Sequence, residues 1–137
     1  REVAKEMIKK KNGNIVNIGS YFGKTGHPFF SVYCATKGAT VLFTQVAAIE
    51  LAPYNIRVNE ICPGDMDTKM HNRAIQEEAG KRGMSFEEMY ALDLKAIPMR
   101  RVARTEEIAA AVTFIVSDEA QYITGQAINI NGGREFH

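Results

Sequence analysis

Residues 14–37 read NIVNIGSYFGKTGHPFFSVYCATK, and three pieces of structure follow one another inside them. Ile15–Ile18 is a short β-branched run of the kind that forms a strand buried on both faces. Residues 19–31 are rich in Gly, Ser, Thr and Pro, which predicts a loop. From Ser31 the pattern turns helical and runs to Leu51, stopping before Pro53. A strand, a loop and a long helix in that order are the opening of a βαβ unit.

Working outward, the same alternation continues. Val3, Met7 and Ile8 form one apolar stripe among charges, so residues 1–11 predict a helix that ends at the Asn12–Asn14 turn. Beyond the long helix, Ile56–Ile61 reads as a second strand stopped by Pro63-Gly64. Residues 65–97 are less regular and predict two short helices around the GKRG turn at Gly80–Gly83, the second beginning near Ser85. A third long helix follows, with Thr105 as its N-cap, and Ala127–Ile130 closes as a third strand. Helix-strand-helix-strand-helix-strand predicts an α/β fold with a parallel sheet. Three strands are few for a sheet with both faces covered, so the layout reads as part of a larger domain.

Composition narrows the classes. The chain has 137 residues, 45% of them hydrophobic and 24% charged, with a net charge of +1. That suits one domain and argues against a dedicated nucleic-acid surface, which needs a basic stripe. The clusters at Lys9–Lys11 and Met99–Arg101 are short and read as solvated surface. The most apolar stretch, ATVLFTQVAAIEL, is broken by Thr44, Gln45 and Glu50, so no membrane span is expected. No signal peptide is visible. Cys34 and Cys62 do not make a disulfide framework and read as small buried residues. His27, His71 and His137 are scattered, so no metal site is expected and His71 reads as surface. A reduced, cytoplasmic setting is the default.

GSYFGKT, residues 19–25, imitates a phosphate-binding loop. The imitation fails on length, since Gly19 and Gly23 enclose three residues where four are needed, and on context, since Gly26-His27-Pro28 follows in place of a helix. Tyr33 and Lys37 are the stronger signal. At i and i+4 they share one helical face, and an ammonium beside a phenol favours the phenolate. Such a tyrosine can exchange a proton with an alcohol or a carbonyl oxygen. Ser20 lies just past the first strand, and Pro63-Gly64 ends the second, with Thr68 four residues on. Ligands of open parallel sheets bind beyond the carboxyl ends of the strands, so these features converge on one edge. Gly64 would let a ligand approach the backbone closely. Met66, Met70, Met84, Met89 and Met99 suit core filling and an adaptable apolar pocket equally. Phe86 and Tyr90 read as core.

With these motifs in view, the chain resembles the short-chain dehydrogenase/reductase family, in its 3-oxoacyl-reductase-like branch. GNIVNIGS resembles the strand of the catalytic serine, YCATK the Tyr-x-x-x-Lys motif, NIRVNEICPGDMDT the strand and loop that hold nicotinamide, and EEIAAAVTFIVSDEAQYITGQAINING the last helix and strand. The resemblance implies a Rossmann-type doubly wound sheet, of which residues 1–137 would be the C-terminal part. It implies an oxidoreductase that interconverts a secondary alcohol and a ketone with NAD or NADP. Tyr33 would be the acid and base, Ser20 would hold the same oxygen, and Lys37 would bind the nicotinamide ribose and favour the phenolate. Pro63, Gly64, Met66 and Thr68 would line the nicotinamide site. A homo-oligomer acting on small molecules is implied, and residues 69–97 would form a mobile substrate lid.

Some features depart from the pattern. Ala103 and Thr105 replace a usual glycine and proline, both read as distant from the chemistry. The family's glycine-rich loop, its Asn-Asn-Ala-Gly motif and its catalytic asparagine would precede Arg1. Asn17 and Asn59 match structural asparagines. The alternative reading is therefore a non-catalytic fragment or binding module of the same fold.

Overall fold

The computed structural model describes residues 2–136; Arg1 and His137 lie outside them. Its elements in chain order are α1 (Glu2–Lys10), β1 (Gly13–Ile18), α2 (Ser31–Leu51), β2 (Ile56–Pro63), α3 (Lys69–Arg82), α4 (Phe86–Ala96), α5 (Thr105–Val116) and β3 (Ala127–Ile130), with short 3-10 turns at Tyr21–Gly23, Ala52–Tyr54 and Asp118–Ala120. The sheet is parallel and ordered β1-β2-β3. Gly13 pairs with Ile56 at one end of the β1–β2 ladder and Ile18 with Ile61 at the other. Glu60 to Pro63 pair with Ala127 to Ile130. The predicted strands are all present, the first two slightly longer than their apolar runs.

β2 is the centre because both of its faces are covered. Alternate side chains point to opposite faces of a strand. Ile56 and Val58 pack with Ala48 of α2 and with Met7, Ile8 and Ile15. Ile61 faces the other way, against Ile108 and Ile115 of α5 and Val16, Ile128 and Ile130 of the sheet. Helices on both faces make the sheet doubly wound. The polar residues of β2 each have a task. Arg57 donates to the carbonyls of Ile115 (2.7 Å) and Ser117 (3.1 Å), satisfying the C-terminal end of α5. The Asn59 amide donates to the Ile123 carbonyl and its oxygen accepts from the Gln126 N–H. Asn17 donates to the Thr44 hydroxyl at 2.8 Å. Both asparagines are structural, as read.

Three local expectations change. α3 runs through Gly80 and stops only at Gly83, whose φ of +66° is the left-handed conformation that ends helices; Gly80 is helix interior and not part of a turn. α5 begins at Thr105, and Arg104 is the capping residue. The Thr105 hydroxyl contacts Glu106 instead, while Glu107 reaches back to the Arg104 N–H at 2.8 Å. Residues 31–54 form a helical segment long and apolar enough, by length and composition, to cross a membrane. The interruptions that argued otherwise are too few. In this fold the segment lies on the sheet, with Thr44 and Ala48 buried. Val32, Leu42, Phe43, Val46 and Ile49 remain more than half exposed on it.

α3 and α4 close on a small core of their own. Ile75, Ala79 and Met89 are buried there, with Phe86 and Tyr90 beside them. α4 starts with a reciprocal cap: Ser85 Oγ accepts from the Glu88 N–H and the Glu88 carboxylate accepts from the Ser85 N–H.

The start of α5 gives a pH prediction. The Arg101 guanidinium donates to both oxygens of Glu107, each at 2.7 Å. Together with the Arg104 N–H it lowers the Glu107 pKa from 4.5 to about 2. The folded value lies below the unfolded one, so the tie is complete above 4.5 and is lost as pH falls through about 2. A carboxyl-resolved NMR titration should show that low midpoint, moving back toward the ordinary glutamate range in Arg101→Ala. An unchanged midpoint in the variant would remove Arg101 as the cause.

Candidate active site

β1 delivers its chain to the site through Gly19. A Cβ at this position would lie 1.7 Å from Glu60 Oε1, so only glycine lets the chain pass over that buried carboxyl group. Ser20 follows in extended conformation and caps the Tyr21–Gly23 turn, its Oγ accepting from the Phe22 N–H at 3.3 Å. Its residue exposure is only 8%. The loop then packs on α2, where a Cβ at Gly23 would lie 2.7 Å from the Lys37 carbonyl oxygen. Lys24, the lysine of the phosphate-loop imitation, is taken up elsewhere. Its Nζ donates to the Ala127 carbonyl of β3 at 2.7 Å.

Tyr33 sits in the first turn of α2 and is 44% exposed. Lys37, one turn on, extends its Nζ to the Ile18 carbonyl (3.2 Å) and lies 5.8 Å from the Tyr33 ring centroid. The same helical face then meets Glu60. The Thr40 hydroxyl is 2.9 Å from Glu60 Oε1 and the Thr44 hydroxyl donates to Oε2 at 3.1 Å. α2 is thereby keyed to the sheet at residues 37, 40 and 44.

A cleft of about 320 Å³ opens beyond the carboxyl ends of β1 and β2. Ser20, Tyr33, Pro63, Gly64, Met66 and Thr68 all line it. Lys37 is not on its wall; it stands behind Tyr33. Apolar sides come from Phe22, Phe30 and Met70. Of the methionines, Met66 and Met70 face the cleft, whereas Met89 is core between α3 and α4. Thr68 caps α3, its hydroxyl accepting from the His71 N–H at 3.2 Å, so the N-terminal end of a fourteen-residue helix points its free N–H groups toward this region.

The structure corrects several residue readings here. Gly64 lines the cleft and also meets its own chain: a Cβ there would lie 2.7 Å from Asn131 Cα, so the protein backbone itself requires glycine here. Ala103 is not remote. It bridges Met66 in parallel fashion, and its N–H and carbonyl bond the backbones of Asp65 and Asp67. His71 is not on the surface; its side chain is 9% exposed and stands between Asp65 and Asp93. Asp65, on the cleft wall, went unread. Burial raises its pKa above the usual value despite the Arg134 guanidinium beside it. Tyr21 is buried too, and desolvation followed by the Asp65 charge pushes its hydroxyl pKa well up. Cys62 is a small buried residue as read, its thiol raised to about 11 by burial and then by Glu60. Cys34 is only partly buried.

Comparisons with known proteins identify the family. The sequence pattern of the family described as enoyl-(acyl carrier protein) reductase matches residues 1–135. A solved short-chain dehydrogenase family protein from Francisella tularensis aligns with 88% of the chain at 39% identity and a TM-score of 0.84. The chain belongs to the short-chain dehydrogenase/reductase family. It is 39% identical over 127 residues to the 3-oxoacyl-(acyl-carrier-protein) reductase FabG of Thermotoga maritima, covering 93% of this chain and 47% of that one. An NAD+-bound xylitol dehydrogenase superposes on 96% of this chain with a TM-score of 0.88 at 36% identity, using 52% of its own length. The Francisella match likewise uses 50% of its chain. This short-chain dehydrogenase/reductase chain therefore spans about half the length of the relatives it matches.

Gly64 provides a test of how the cleft is built. Gly64→Ala in the full-length protein should cost about 1–3 kcal/mol in urea unfolding, the scale of an overpacked site. Gly26→Ala, where an added Cβ meets nothing within 4 Å, should change little. Equal stabilities would mean that Asn131 yields and that the turn is not fixed by this contact.

Proposed function

We propose that the whole protein is an NAD- or NADP-dependent oxidoreductase interconverting a secondary alcohol and a ketone, and that this chain carries its proton-transfer site. The observation that carries the reading is the meeting of Ser20 and Tyr33 on one cleft at the carboxyl ends of the parallel strands, with the Lys37 ammonium behind the Tyr33 ring. The cleft has room for a nicotinamide ring beside a small carbonyl compound. Pro63, Gly64, Met66 and Thr68 are the residues that would hold the nicotinamide end of the cofactor. When bound, the cofactor supplies or accepts hydride.

Every other step falls to the chain's own groups. The Tyr33 hydroxyl gives its proton to the carbonyl oxygen in reduction and receives it back in oxidation. The Ser20 hydroxyl donates to the same oxygen and steadies the charge that develops on it. Lys37 places a positive charge beside the phenol, which favours the transfer. Phe22, Phe30 and Met70 exclude water from the reacting carbon. α3 and α4 form the substrate cover, since they hold a separate small core and border the cleft through Thr68, Met70 and His71. Homo-oligomeric assembly belongs to the same proposal, supported by the apolar residues left exposed along α2.

Tyr33→Phe in the full-length protein tests the assignment. The ring remains and the transferable proton goes, so single-turnover reduction should fall roughly 100-fold or more while dinucleotide affinity is retained. Near-normal rates would end the role of Tyr33 as acid and base. Hydrogen exchange tests the cover: amides of residues 69–97 should gain protection when dinucleotide and substrate are both present. Equal protection with and without them would make α3 and α4 a fixed part of the wall.

A further inference from the structure

Asp65, His71, Asp93 and Arg134 come from four separate segments: the turn after β2, α3, α4 and the chain after β3. The Arg134 guanidinium donates to one oxygen of each aspartate, Asp65 Oδ2 and Asp93 Oδ1. That leaves the other oxygen of each turned toward the imidazole. Asp65 Oδ1 is 3.8 Å from His71 Nδ1, and Asp93 Oδ2 is 3.5 Å from His71 Nε2. Both separations are long for a hydrogen bond. His71 Nε2 and Asp93 Oδ2 are fully buried with no hydrogen-bond partner, in side chains 9% and 10% exposed. Two orphaned polar atoms facing each other in the interior are costly, and natural structures rarely keep them without a bridging group.

The spacing suits one kind of bridge. Two metal–ligand bonds of about 2.1 Å, opened near the tetrahedral angle, span roughly 3.4 Å. One ligand atom from each of Asp65, His71 and Asp93 lies within 4.8 Å of the others. Charge points the same way. Arg134 is one guanidinium shared between two carboxylates, so it offsets one of their two charges. Arg134 acts here as an outer partner: it pins the far oxygens of the carboxylates and leaves their near oxygens to bind, the arrangement that orients ligands in protein metal sites.

We propose that His71 and Asp93 form a binding site for a divalent transition-metal ion of the zinc or manganese class, with His71 Nε2 and Asp93 Oδ2 as ligands and Asp65, on the Nδ1 side of the ring, holding the imidazole in place. One imidazole with carboxylates is the donor set these ions take. The ion is structural: it joins α3 to α4, so that the cover behaves as one piece. The scattered histidines of the sequence gave no sign of it, because Asp65, His71 and Asp93 are six and twenty-two residues apart and follow no metal-binding spacing.

The test uses tag-free full-length protein freed of metal by a chelator. Titrated with MnCl2 and followed by the electron paramagnetic resonance of free Mn2+, the wild type should take up one ion per chain, and ZnCl2 should compete for it. His71→Ala and Asp93→Asn should each weaken uptake at least tenfold, with folding checked by near-ultraviolet circular dichroism. If either variant fails to fold, crystals of the wild type grown with ZnCl2 decide: an anomalous peak within bonding distance of His71 Nε2 and Asp93 Oδ2 supports the site. No uptake by the wild type, uptake unchanged in both variants, or an anomalous peak only elsewhere would overturn it.

Discussion

A carboxyl group buried in the middle of a parallel sheet must have its oxygens met, and the rest of this structure is arranged around doing so. Glu60 has no exposure at all. Thr40 and Thr44 reach it from α2, and Gly19 gives up a side chain to make room. Thr44 is held in turn by Asn17 of β1. Leaving such a group unsatisfied costs about 1–3 kcal/mol. Because the two threonines follow Lys37 on one helical face, the bonds that satisfy Glu60 also fix the rotation of α2 about its axis. That rotation decides where Tyr33 points. A demand for polar satisfaction in the core thus sets the geometry of the cleft.

The cleft is assembled from pieces with different kinds of support. Ser20 and Tyr33 rest on β1 and α2, which the sheet and the Glu60 network hold firmly. The opposite wall rests on α3 and α4, whose buried residues pack mainly on one another. Polar links join them to the remainder: Arg134 bonds Asp93 of α4, and His71 of α3 approaches Asp65 of the turn after β2. A side held by the sheet and a side packed mainly on itself give the two walls of the cleft different support.

The elements, and the meeting of Ser20 and Tyr33 on one cleft, were legible because both depend on short spacings. β-branched runs announce strands, an i and i+4 pair announces a helical face, and Ser20 falls where the first strand must end. What was not legible depends on contacts far along the chain. Gly64 reads from the sequence as a glycine that faces a ligand, and the second demand on it, from Asn131, lies far along the chain. His71 looks like any polar residue on a charged helix until Asp65 and Asp93 are brought to it. Thr105 is a good N-cap by type, but the carboxylate of Glu107 supplies the cap function one residue earlier. Ala103 carries no chemical signal, since its role lies in its backbone.

The bond from Lys24 to the Ala127 carbonyl joins residues 103 positions apart. Its consequence is one of timing. A chain made from its N-terminus produces Ser20, Tyr33 and Lys37 before β3, so the loop between them lacks its anchor until β3 has been synthesised. Contacts so distant in sequence form late and slow the approach to the native state. The loop that presents Ser20 therefore settles late in the folding of this chain, although it is translated before the strand that anchors it.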